Sequence, residues 1–158
     1  MFRSFQQGLK LGGSIAVLEQ WIRDEGFTLV YYPSTEAERL ARRYKEVQET
    51  IEDIASDRLF GTTIVELQLV IIHRDRTAPP LVMTYQLHHE LAHVLTAKHD
   101  PHPPKLGHTT EFFQAERGIC ERLRLKQFEG PDNYDENGDY IERSNGERVK
   151  HWGESIDV

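Results

Sequence analysis

The residues with the most evident chemical potential are His89-Glu90-Leu91-Ala92-His93. On a helix, side chains four apart share a face, so the imidazoles of His89 and His93 can reach one metal ion. Glu90, one step past the first imidazole, projects beside such an ion instead of binding it. From there its carboxylate can take a proton from a water that zinc activates, since bound zinc lowers the water's pKa towards roughly 7 and polarises a scissile carbonyl. The His-Glu-x-x-His pattern therefore points to zinc-assisted amide hydrolysis, with His89 and His93 as metal ligands and Glu90 as general base. Three fixed positions are a modest pattern by themselves. Here they sit in a stretch of helical period that follows a strong strand signal, with small or apolar residues where a helix must pack.

A catalytic site needs a third protein ligand and an open position for water. His108 is one candidate, placed after a proline-bearing loop in Gly107-His108-Thr109-Thr110-Glu111-Phe112. His99 lies six residues after His93, which is metzincin spacing. That pattern wants glycine where Thr96 stands and a methionine downstream, whereas Met1 and Met83 both lie upstream. Glu111 or Glu116 would instead give a glutamate-ligated site. His102 lies among prolines and reads as a loop side chain.

HELAH, a linker and then GHTTEF resembles the SprT-like (Spartan-type) zincins, over roughly Ile64 to Phe128. The resemblance implies His89, His93 and His108 as zinc ligands, Glu90 as base, and cleavage of peptide bonds in a protein substrate. The chain is also similar to the related WLM-type peptidases, whose third histidine follows the motif more closely, as His99 would. Three departures accompany the likeness. Thr-Thr follows His108 where Spartan has Gly-Pro, and one cysteine cannot form the zinc ribbon that SprT-like proteins often carry. The basic segments that a DNA-associated protease would need are also missing.

The elements around the motif follow from periodicity. Ser14 to about Glu25 reads as a helix with Ser14 as N-cap and Gly26 as its stop. Phe27 to Tyr32 reads as a strand ended by Pro33. Ser34 or Thr35 caps one long helix whose apolar stripe runs Ala37, Leu40, Ala41, Tyr44, Val47, Ile51, Ile54 and Ala55. The pattern breaks between Asp57 and Thr62. Ile64 to Ile72 reads as a single strand. The motif helix starts near Leu81 or Thr84 and runs to Ala97; residues 99–107 form a loop, because three prolines forbid a helix. A last helix opens at Thr109 or Thr110 and runs to about Phe128, with acids early and bases late to suit its dipole. Beyond it the Asn137-Gly138 and Asn145-Gly146 pairs suggest a hairpin. The expected fold is α+β and zincin-like, with helices packed on a small sheet and the motif on a central helix. It occupies a single domain over residues 1–158, with a core at about 14–128 and a polar, hairpin-rich extension at 129–158.

Composition narrows the function classes. With 38% hydrophobic and 28% charged residues, the chain fits a soluble globular protein. No apolar run is long enough to cross a bilayer, and the N-terminus lacks a signal-peptide pattern, so an intracellular location (cytoplasmic or nuclear, not secreted) is expected. A single cysteine excludes an internal disulfide. A net charge of −7, from 26 acidic against 19 basic residues, disfavours bulk nucleic acid as a partner. The basic group Arg39, Arg42, Arg43 and Lys45 is interleaved with Glu36, Glu38, Glu46 and Glu49, as on a solvated helix face.

Weaker signals read as structure. Asp132 to Gly138 faintly resembles a calcium loop, but its twelfth position would be Ser144, so a plain turn is preferred. Cys120 reads as a packing residue, His88 as pointing away from the metal, and His73 and His151 as surface. Tyr85, Tyr134, Tyr140 or His151 could donate to an oxyanion, and Glu111 could orient a ligand imidazole. Two rival functions remain: a non-catalytic, zinc-stabilised protein-binding module, in which a fourth ligand such as His99 or His102 closes the metal, and a DNA-associated protease.

Overall fold

A computed structural model describes residues 2–74, 79–99 and 108–127, with side chains from residue 13 onward save those of residues 98 and 99. Helix α1 spans Phe2–Asp24, strand β1 Thr28–Tyr32, helix α2 Thr35–Arg43, helix α3 Lys45–Ala55, strand β2 Gly61–Ile64, strand β3 Leu69–His73, helix α4 Pro80–His99 and helix α5 Thr110–Leu123. Among the described residues this is an α+β chain of five helices and one three-stranded sheet. It divides into two compact units, residues 1–90 and 91–158. No helix among the described residues is long and apolar enough to cross a membrane.

In the first unit β3 is the central strand, parallel to β1 and antiparallel to β2. Leu69, Val70, Ile71 and Ile72 are all buried, which explains an apolar run without alternation: both faces of β3 are covered. On one face Val30, Ile64, Leu69 and Ile71 pack with Ala37 of α2 and with Val47, Ile51 and Ile54 of α3. These are the stripe residues expected from sequence. On the other face, α1 is tied to the sheet by the Tyr31 hydroxyl, which donates to the Glu19 carboxylate at 2.5 Å. The first half of α4 meets that face at Thr63 and Gly61.

Four boundaries differ from the periodicity reading. Ser14 is not an N-cap but lies inside α1, which begins at Phe2. The stretch from Thr35 to Ala55 is two helices, because Tyr44 takes an extended conformation (φ −125, ψ 124) between them. That bend places α2 beside β1 and α3 beside β2 while Tyr44 stays packed on the common core. The stripe alone could not reveal it, since every apolar residue keeps its role.

Ile64 to Ile72 is not one strand. A 3-10 turn at Val65–Leu67 and left-handed Gln68 (φ 47) reverse the chain, so β2 pairs back onto β3. The last helix stops at Leu123 rather than Phe128, because Arg124 adopts φ 55 and its two flanking bonds close the helix, Arg124 N–H to Glu121 O at 3.3 Å and Leu125 N–H to Cys120 O at 2.8 Å. Ser34 is the N-cap of α2, its hydroxyl accepting from Ala37 N–H at 3.0 Å. Thr109 does the same for α5, accepting from Phe112 N–H at 3.2 Å. The loop expected at 99–107 and the hairpin-rich extension at 129–158 fall almost wholly outside the described residues.

Candidate metal centre

Helix α4 carries the motif without interruption. His89 and His93 stand four residues apart on it, and each ring is held by an aromatic neighbour. The Tyr85 ring centroid lies 5.7 Å from that of His89, and its hydroxyl is 3.5 Å from His89 Nδ1. One turn further on, the Phe112 ring lies 4.4 Å from that of His93.

His108 immediately precedes Thr109, the residue that caps α5. This placement ties the imidazole to a rigid helix start. Its ring meets that of Phe112 edge-on at 4.9 Å and that of His93 edge-on at 5.1 Å. Phe112 is fully buried and packs against both imidazoles.

Ligand atoms of His89, His93 and His108 all lie within 4.8 Å of one another, close enough to bind one metal ion. Three nitrogens at about 2.0–2.1 Å from a tetrahedral ion stand about 3.4 Å apart. The donors suit such an ion. His93 is buried, and that burial, with the His108 imidazole beside it, lowers its pKa to about 3. The ring is therefore neutral at neutral pH and offers a lone pair, as metal binding requires. Three imidazoles without a thiolate form the donor set of hydrolytic zinc centres.

Glu90 is buried, at 3% exposure. The Thr63 hydroxyl donates to its Oε1 at 3.1 Å and lies 3.4 Å from its backbone carbonyl. Thr63 had no signature in the sequence: a lone threonine 27 residues upstream of its partner is visible only once β2 is placed.

Glu111 is exposed in the first turn of α5. Glu116 is fully buried and accepts from Gln127 Nε2 at 3.1 Å. Neither joins the histidine group among the described residues. His99 is the last residue of α4, but its side chain, like all of His102, lies outside the described residues. Tyr134, Tyr140 and His151 lie there too. His88 is buried against Tyr85, with ring centroids 5.2 Å apart, and is not in the metal-binding group. Cys120 is buried, and burial with Glu116 nearby pushes its thiol up to about 12, which suits a packing residue. Arg39, Arg42, Arg43 and Lys45 are exposed, with Lys45 3.9 Å from Glu49. Set against family models, curated proteins and solved structures, the chain gives no match.

Proposed function

We propose that the chain is a zinc-dependent peptidase with a zincin-like fold of the SprT-like type, hydrolysing peptide bonds in a protein substrate inside the cell. His89, His93 and His108 would hold the metal and Glu90 would be the general base. The observation that carries this reading is the convergence of three imidazoles within 4.8 Å, with a buried carboxylate at the residue following the first. A purely structural metal site has no use for that carboxylate.

Zinc, when bound, supplies a Lewis acid and brings the pKa of water near neutrality, roughly 7. The rest falls to the protein. The imidazoles of His89, His93 and His108 would hold the metal at the place where carbonyl and water meet. Glu90 accepts the proton of the attacking water as the new C–O bond forms, then gives it to the departing amide nitrogen as the C–N bond breaks. Glu90 is buried, which shields its carboxylate from bulk water and limits the solvent reorganisation needed at the moment of reaction.

The test is Glu90→Gln in the zinc-loaded protein, assayed by digestion of a peptide library. The expected result is one zinc per chain, as in wild type, and turnover reduced about 10²- to 10⁴-fold. Wild-type turnover in this variant overturns the role of Glu90.

A further inference from the structure

We infer that Thr63 is a positioning residue for Glu90, holding the general base through a hydrogen bond delivered by strand β2; this rests on the catalytic role proposed above for Glu90. An ionised carboxylate only accepts hydrogen bonds, so in the 3.1 Å contact Thr63 Oγ1 is the donor and Glu90 Oε1 the acceptor. Thr63 is 4% exposed and Glu90 3%. At that depth water does not compete, and the bond both stabilises the charge and fixes the direction of the carboxylate.

The contact is built into the fold. Alternate residues of a strand face one side, so Gly61 and Thr63 share a face of β2. Residues four apart share a face of a helix, so Gln86 and Glu90 share a face of α4. Two residues of strand span about 6.6 Å and four of helix about 6 Å, which lets both pairs meet in register. They do: Thr63 meets Glu90, and a Cβ placed on Gly61 would stand 3.1 Å from Gln86 Oε1. Glycine at 61 thus permits the close approach that brings the Thr63 hydroxyl within reach. On the opposite face of β2, Ile64 is anchored in the core with Val47, Ile51 and Ile54, so the strand cannot easily turn Thr63 away.

Thr63 acts through Glu90 and not on substrate, so its loss should lower kcat and spare KM. The experiment compares Thr63→Val, which keeps the shape and removes the hydroxyl, with Thr63→Ser, which keeps the hydroxyl, in the zinc-loaded full chain. For Thr63→Val the expected kcat loss is about 10- to 100-fold, with KM and zinc content as in wild type. Thr63→Ser should recover most of kcat. Crystal structures supply a readout apart from activity: the Glu90 carboxylate should leave its position in Thr63→Val and keep it in Thr63→Ser. Should the valine variant fail to fold, Thr63→Ala takes its place in every comparison. Wild-type kcat without the hydroxyl, equal losses in the valine and serine variants, or a loss confined to KM would each overturn the assignment. Glu90→Gln, measured alongside, separates the two ideas. If it is inactive while Thr63→Val is fully active, Thr63 alone is dismissed; if it is fully active, the role of Glu90 falls.

Discussion

Replacing His108 by alanine removes one of three converging imidazoles and leaves α4, which carries the other two, intact. Four protein ligands bind zinc in small peptides with about 10–16 kcal/mol, or about 2.5–4 kcal/mol per ligand. At about 1.4 kcal/mol per factor of ten, the variant should bind zinc about 10²- to 10³-fold more weakly. The loss has a second readout. With free zinc at about 100 times the wild-type Kd, binding adds about 2.7 kcal/mol to stability. In a chain of this length that raises Tm by about 5–10 °C. In His108→Ala the zinc-dependent rise should nearly vanish, while the zinc-free Tm changes little, because the lost ring contacts with Phe112 and His93 are made by a half-buried side chain. Competition with a chromophoric chelator gives Kd, and calorimetry with and without zinc gives the shift. A variant whose Kd stays within about threefold of wild type and keeps its zinc-dependent rise would refute the assignment of His108. The matched variant His99→Ala should leave both quantities unchanged, and the reverse pattern would move the third ligand to residue 99.

Two further outcomes test the surroundings of the site. Gly61→Ala should destabilise the protein by about 1–3 kcal/mol in urea unfolding, because the new methyl meets the Ile71 carbonyl at 3.1 Å as well as Gln86; unchanged stability would show that β2 can move away from α4 at no cost. Cys120 should resist a disulfide reagent at pH 8 in the native protein, since burial holds its thiol at about 12, and should react at once in guanidinium; equal rates in the two states would contradict its packing role.

Part of the candidate histidine cluster was legible in the sequence because it depends on local geometry. A single helix carries both His89 and His93, so the motif and the period of α4 sufficed for that pair. His108 required a resemblance, as nothing in residues 94–107 dictates where the chain returns. Thr63 was invisible for the same reason on a larger scale: its meeting with Glu90 depends on β2 reversing at Gln68 and pairing with β3.

Helix ends show where the limit lies. Gly26 announced the end of α1 and takes φ 88, with Phe27 N–H bonded to Ile22 O at 3.3 Å. Asp57 and Arg124 also take positive φ, at the ends of α3 and α5; aspartate tolerates that conformation better than most residues, but arginine gives no signal of it. A side chain there costs about 1–2 kcal/mol, which the surrounding packing offsets and composition does not record. The stripe from Ala37 to Ile54 told which residues form the core but not that Tyr44 bends the chain between them.

The most direct measurement is a crystal structure of the zinc-loaded protein, with anomalous data collected at the zinc edge to identify the coordinating atoms. The expected result is one ion bound by nitrogens of His89, His93 and His108 at about 2.0–2.1 Å, with a water completing the tetrahedron next to Glu90. A protein that takes up no zinc, or an ion whose fourth position is filled by another side chain, would contradict a hydrolytic centre.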